Sequence, residues 1–132
     1  MPDDALQPPP GWTLYHSIAF LLVGASCIDG SLDREEALTI RQRMRQYPDI
    51  DGDATEVVAK VVPYFERLRT SNLVMKALDL HCRRLAKALP KDALKVVMDD
   101  VIAVVGADDA LHQQEKGYLA ALHKHFGLAT PR

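Results

Sequence analysis

Two short acidic segments carry the residues of this sequence that are best suited to chemistry. Each runs from an aspartate to a glutamate at the same spacing, and the second also contains a histidine. The candidate ligands are Asp29, Asp33 and Glu36 in the first segment and Asp108, Asp109, His112 and Glu115 in the second. Hard cations such as Ca²⁺ and Mg²⁺ bind several oxygen ligands, and a histidine nitrogen suits Zn²⁺ or Mn²⁺. The segments therefore predict a weak divalent-metal site.

Helix capping is the alternative explanation for the same side chains. Asp33 and Glu36 have the spacing of a capping box, in which both side chains satisfy unpaired N–H groups in the first turn of a helix. Their charge also favours the positive end of the helix dipole. His112 and Glu115 repeat this spacing. Capping and metal binding are compatible, and the first aspartate of each segment has the weaker capping explanation.

Helices are the elements that must position these segments. Apolar residues recur at helical spacing along most of the chain, and no strand-like alternation separates them. The sequence predicts a compact all-α bundle of about six to seven helices. We expect a central helix ending near Asp29-Gly30, and a helix that Pro63 kinks or splits. The expected helices cover residues 12–28, 33–47, 53–68, 71–89, a segment after Pro90 that contains 96–105, and 112–126.

An internal repeat relates the two acidic segments. Placing Asp29 over Asp108 aligns stretches that lie 79 residues apart, so that the apolar helix 18–28 falls on 97–107 and Glu36 falls on Glu115. Each unit reads as an apolar helix, an acidic hinge and an amphipathic helix. We name residues 29–36 the first hinge and residues 108–115 the second hinge. The sequence thus predicts two pseudo-repeated helix-hinge-helix units, whose hinges share one face if the units pack with twofold symmetry.

Size and composition indicate one ordinary globular domain. Of the 132 residues, 48% are hydrophobic and 26% are charged, and the net charge is −2. Residues 1–11 form an extended proline-rich leader, and 12–132 form a single helical domain. The charge indicates no nucleic-acid partner. The apolar run 18–28 follows acidic residues and is too short to cross a bilayer, so we expect a cytoplasmic protein without a transmembrane segment.

Other candidate motifs are incomplete. Residues 49–53 resemble the start of a calcium-binding EF-hand loop, but Ala54 and Lys60 replace the required glycine and glutamate. His81-Cys82 and His123-x-His125 lack a second ligand pair at zinc-binding spacing. No nucleophile motif or glycine-rich phosphate loop is present. We therefore expect no catalytic residues, no cofactor-binding residues and no enzyme activity, with a metal-dependent hydrolase as the least favoured alternative.

The two hinges resemble the paired acidic hinges of the TerB, or tellurite-resistance, family. The resemblance rests on Cys-Ile-Asp-Gly-Ser-Leu-Asp-Arg-Glu-Glu at 27–36 and Ala-Asp-Asp-Ala-Leu-His-Gln-Gln-Glu at 107–115. The ending His-Phe-Gly-Leu at 125–128 is similar to the aliphatic-Gly-Leu end of the family's last helix. The resemblance covers roughly residues 15–128. Two departures are Ile28, where the family favours alanine, and Asp109, where it favours glycine.

This resemblance implies an all-α bundle and a cytoplasmic bacterial protein linked to tellurite or general stress resistance. It also implies an acidic surface that binds divalent metal, carried by Asp29, Glu36, Asp108 and Glu115. A metal-independent module that docks an unknown protein partner is the competing hypothesis, with the acidic residues acting only as helix caps. Its contact candidates are Trp12, Leu14, Tyr15 and Tyr118. The oligomeric state, the metal and the partner stay open.

Overall fold

The chain folds as an all-α domain. A computed structural model describes residues 6–27, 34–45, 55–105 and 113–127, and none of these residues lies in a strand. The described helices are α1 Leu14–Cys27, α2 Arg34–Met44, α3 Thr55–Thr70, α4 Val74–Ala88, α5 Lys91–Val105 and α6 Gln113–Phe126. The prediction of a helical bundle is confirmed. No helix in these ranges is both long and apolar enough to cross a membrane.

Helix α1 lies at the centre of the bundle and packs against all five other described helices. Its residues 18–26 are all buried, because apolar or small side chains occur on every side of this stretch. A helix that is apolar all round is stable only where neighbours cover it completely. The expected central position of the first helix is confirmed, and the helix ends at Cys27, immediately before the first hinge.

The turn between α3 and α4 is closed by Asn72, which has a φ of 59°. The Leu73 N–H donates to the Leu68 carbonyl at 2.8 Å, and the Asn72 N–H donates to the Arg69 carbonyl at 3.1 Å. These two bonds and the left-handed residue form a Schellman motif. Helix α4 therefore begins at Val74, later than the predicted start at residue 71, because the backbone is still closing α3 at Asn72.

Pro63 lies inside α3, which is one continuous helix. A proline removes the N–H that would bond the carbonyl four residues earlier, here that of Ala59. Both Pro63 and Ala59 are exposed, so water can reach the carbonyl that loses its partner. The opposite face of α3 packs against α1. Of the two expected effects of Pro63, a kink or a split, the split is wrong, because the carbonyl that loses its partner faces solvent while the packed face stays intact.

Helices α5 and α6 pack as an antiparallel pair. The Lys91 Nζ at the start of α5 donates to the Gly127 carbonyl just after α6 at 3.4 Å, and Gly127 ends α6 with a φ of 66° as predicted. The C-terminus of α5 and the N-terminus of α6 therefore lie at the other end of the pair. That end joins the second hinge, which connects the two helices.

Candidate functional site

The structure describes the helices that flank both hinges. Glu36 and Glu115 lie in α2 and α6, and their side chains are not among those described. The remaining predicted ligands lie outside the described residues; they are Asp29, Asp33, Asp108, Asp109 and His112. The metal site and the distance between the two hinges therefore stay predictions.

Both glutamates lie near the described N-terminal ends of their helices. Helix α2 is described from Arg34 and α6 from Gln113, so Glu36 and Glu115 are each the third described residue of a helix. A glutamate at this position lies near the positive end of the helix dipole, which suits both a capping box and an acidic ligand. The pseudo-repeat itself stays a prediction.

Ser26, the penultimate residue of α1, is a buried polar group that the sequence did not single out. Ser26 is only 3% exposed, and its Oγ has no hydrogen-bond partner within the described part of the chain. A buried hydroxyl without a partner costs about 1–3 kcal/mol. A hydroxyl oxygen without a hydrogen-bond partner among the described residues thus lies three residues before Asp29 in the sequence, and such an oxygen can bind a metal ion.

An ion pair joins α2 and α5, which lie in the two halves of the predicted repeat. The Asp100 carboxylate of α5 lies 3.5 Å from the Arg43 guanidinium of α2; the aspartate side chain is 3% exposed and the arginine side chain 39% exposed. The arginine thus partly compensates a buried negative charge. Nothing in the sequence spacing predicted this contact.

A second buried polar cluster surrounds His81, which is completely buried in α4. Its Nδ1 lies 3.1 Å from the Ser17 Oγ, and its Nε2 lies 3.0 Å from the Tyr64 hydroxyl. The Trp12 Nε1 donates to Ser17 at 2.9 Å, and the Tyr64 hydroxyl donates to the Leu6 carbonyl at 2.6 Å. We call these five residues the His81 cluster.

The two ends of the His81 cluster fix the direction of every hydrogen bond in it. The indole Nε1 of Trp12 can only donate, and the Leu6 carbonyl can only accept. Tyr64 gives its hydrogen to Leu6 and so accepts from the His81 Nε2, which leaves the Nδ1 to accept from Ser17. His81 is therefore a neutral imidazole that carries its hydrogen on Nε2. Each of the four donor groups in the cluster, on Trp12, Ser17, His81 and Tyr64, donates one of these hydrogen bonds.

Burial stabilises the neutral form of His81 and of its neighbours Tyr64 and Cys82. Desolvation, with a smaller contribution from the Arg84 charge, lowers the pKa of His81 to about 4. Desolvation also raises the pKa of Tyr64 to about 12, although Arg67 and Arg84 oppose it. The same effect raises the pKa of Cys82 to about 12. At neutral pH these groups are uncharged, and the hydrogens of His81 and Tyr64 are committed to neighbours.

The His81 cluster fastens the leader to the bundle. Leu6 lies in the leader and Trp12 directly follows it, whereas Ser17, Tyr64 and His81 come from α1, α3 and α4. The Lys60 Nζ adds a bond to the Pro10 carbonyl. The aromatic rings pack closely as well, since the Phe20 and His81 centroids are 4.8 Å apart. The sequence signal for this role was a histidine within the apolar pattern of α4.

The proposed docking residues are only partly available. Tyr118 is 2% exposed and donates from its hydroxyl to the Leu21 carbonyl at 2.8 Å, so it belongs to the core. Gly24 permits this approach, because a Cβ there would lie 2.5 Å from the Tyr118 hydroxyl oxygen. Trp12, Leu14 and Tyr15 are half-buried against the core. Tyr118, named as a candidate docking residue, is therefore a core residue.

The described part of the chain is an all-α domain built around α1, and two of its helices, α2 and α6, carry the predicted ligands Glu36 and Glu115. A comparison with family models matches residues 16–131 to the family described as Tellurite resistance protein TerB. No curated protein and no solved structure matches the chain. The chain belongs to the TerB family, and the predicted resemblance is confirmed over nearly its whole length.

Proposed function

We propose that this TerB-family chain is a non-enzymatic cytoplasmic module that binds a divalent metal ion weakly at its two acidic hinges. Its role is in bacterial stress or tellurite resistance. The ligands are Asp29 and Glu36 in the first hinge and Asp108 and Glu115 in the second. Asp33, Asp109 and His112 are additional ligands in this proposal. Water completes the shell of an open site with few fixed ligands, which is why the affinity is weak.

The duplicated Asp-to-Glu spacing of the two hinges carries this proposal. Glu36 and Glu115 lie 79 residues apart, in the first described turns of α2 and α6. Each glutamate follows an aspartate at the same spacing in the sequence. A capping box needs only the residue just before the helix and the third residue within it. Capping therefore leaves the duplicated Asp29 and Asp108 without a role, whereas a metal site uses them.

Two described features support the same proposal. The Ser26 hydroxyl, which has no hydrogen-bond partner among the described residues, lies close in sequence to Asp29, and its oxygen is of the kind that hard cations accept. The His81 cluster, in contrast, offers no reactive group, because its imidazole is buried, neutral and hydrogen-bonded at both nitrogens. A binding module accounts for both observations without a catalytic step.

A thermal-melt panel tests the proposal. Purified protein treated with EDTA is melted alone and with Ca²⁺, Mg²⁺, Mn²⁺ or Zn²⁺. A ligand that binds only the native state at ten times its Kd stabilises it by about 1.4 kcal/mol, which for a chain of this size raises Tm by roughly 5 °C. We expect such a rise with at least one metal, and we expect the double variant Asp29→Asn, Asp108→Asn to lose it.

A second double variant controls for general charge effects. Asp49→Asn, Asp51→Asn makes the same change in net charge at the incomplete EF-hand-like loop. We expect this variant to keep the metal-dependent rise in Tm. Equal loss in both double variants would show non-specific attraction of cations. No rise with any metal in the wild-type protein would refute the proposal.

A further inference from the structure

A surface groove of about 470 Å³ lies beside α4. Its lining residues are Leu6, Met75, Lys76, Asp79, Leu80 and Arg83. Five of them belong to α4 and recur at helical spacing, so they form one stripe along that helix. Met75 is 54% exposed, the largest exposure among the large hydrophobic residues that the structure describes as exposed. The groove thus offers apolar surface to a partner, and methionine adapts its shape readily to a bound side chain.

The leader forms the second wall of this groove and is held in place. The Leu6 carbonyl accepts the 2.6 Å hydrogen bond from the Tyr64 hydroxyl, which in turn bonds to His81 on α4. The wall and the helix are therefore joined through one buried network. A groove whose walls are already fixed loses less conformational freedom when a partner binds.

Positive charge outweighs negative charge on α4, the helix that supplies most of the groove lining. Helix α4 carries four exposed basic residues against one acidic residue, Asp79, although the whole chain has a net charge of −2. The basic residues are Lys76, Arg83, Arg84 and Lys87. Arg83 pairs with Asp79 at 3.2 Å, whereas neither Lys76 nor Lys87 has an ion-pair partner among the described residues. The α4 side of the groove is therefore locally cationic.

We propose that the α4 groove docks an acidic, amphipathic segment of a partner protein. Apolar side chains of that segment enter the groove against Met75, Leu80 and Leu6, while its carboxylates face Lys76 and Lys87. Helix-in-groove recognition combines an apolar stripe with surrounding polar contacts in this way, and complementary charge selects the partner and its orientation. This binding is independent of the metal at the hinges.

Fluorescence anisotropy with three labelled synthetic peptides tests the proposal. The first is helical, with leucines on one face and glutamates on the other. The second replaces each glutamate by lysine, and the third replaces each leucine by serine. We expect the first peptide to bind the full chain at least about tenfold more tightly than either of the others. Its affinity should fall as salt is raised, because salt screens exposed charges.

Two matched pairs of variants locate the binding surface. Met75→Ser and Lys76→Glu change the groove, whereas Val96→Ser and Lys95→Glu replace an apolar and a basic residue by the same residues at exposed positions of α5. We expect each groove variant to weaken binding of the first peptide by about three- to tenfold. The α5 variants should bind as the wild-type protein does. All four positions are exposed, so thermal melts should show an intact fold.

Three outcomes would overturn the proposal. One is the absence of saturable binding by the leucine-glutamate peptide. Another is binding of the serine-glutamate peptide as tight as that of the leucine-glutamate peptide, which would show that the chain only attracts negative charge and that the apolar groove plays no part. The last is a dimer of the chain in sedimentation velocity that Met75→Ser abolishes, which would make a second copy the occupant of the groove.

Discussion

The neutral state of His81 makes the stability of the fold depend on pH. The pKa of this histidine is about 4 in the folded chain, against an ordinary value of 6.5. Between these values the unfolded chain binds a proton that the folded chain does not, so the free energy of unfolding decreases as pH falls. The stabilisation by the neutral imidazole is therefore complete above pH 6.5 and is lost progressively as pH falls towards 4.

The size of this effect follows from the two pKa values. One pKa unit corresponds to about 1.4 kcal/mol, so the whole difference corresponds to about 3 kcal/mol. At pH 5 the unfolded histidine is almost fully protonated and the folded one almost fully neutral. We therefore expect the His81 contribution to fall by about 2 kcal/mol between pH 7.5 and pH 5.

Urea unfolding at these two pH values measures the change. Trp12 is the only tryptophan in the chain, and its indole lies in the His81 cluster, so its fluorescence reports unfolding of this region. His81→Gln keeps hydrogen-bonding groups on the side chain but does not titrate. The wild-type protein should lose about 2 kcal/mol more than this variant on moving to pH 5.

His16→Gln is the matched control. Burial lowers the pKa of His16 too, with a smaller contribution from Lys60, but the residue is only partly buried. We expect this variant to retain most of the pH dependence. A His81→Gln protein that loses stability at pH 5 as steeply as the wild-type protein would refute the assignment of a buried, neutral His81.

Two further predictions concern close contacts in the core. Gly24→Ala should destabilise the fold by about 1–3 kcal/mol, because its Cβ would lie 2.5 Å from the Tyr118 hydroxyl. Gly117→Ala should instead stabilise α6 by up to about 1 kcal/mol, because a Cβ there would meet nothing within 4 Å. Thermal melts in which Tm changes with the same sign for both variants would contradict the packing. Tyr64→Phe removes the hydroxyl that joins Leu6 to His81, so it should lower the free energy of unfolding by about 1–3 kcal/mol. It should also make the leader easier for a protease to cleave. An unchanged cleavage rate would show that the leader is held by other contacts.

Local patterns predicted most of the fold. The all-round apolar character of residues 18–26 required a central helix, and Gly127 ended α6 where the sequence indicated. A split at Pro63, one of the two alternatives, and the start of α4 were mispredicted for opposite reasons. Tertiary packing on α1 kept α3 continuous across the proline, whereas a single left-handed asparagine, which sequence patterns seldom reveal, delayed the start of α4.

The described polar features were harder to foresee than the helices. Ser17, Tyr64 and His81 lie far apart in the sequence, and only the packing of three helices brings them together. Asp100 and Arg43 meet across two helices for the same reason. The hinges, in contrast, could be predicted from short motifs, because a capping residue or a ligand at a helix start follows a local spacing, and their structure stays a prediction.

Isothermal titration calorimetry of the EDTA-treated chain tests the central claim most directly. Ca²⁺, Mg²⁺, Mn²⁺ and Zn²⁺ are titrated into the wild-type protein, the Asp29→Asn, Asp108→Asn variant and the Asp49→Asn, Asp51→Asn control. We predict saturable heat with at least one metal for the wild-type and control proteins and none for the hinge variant. Absence of saturable heat with all four metals in the wild-type protein, or binding retained by the hinge variant, would contradict metal binding at the hinges.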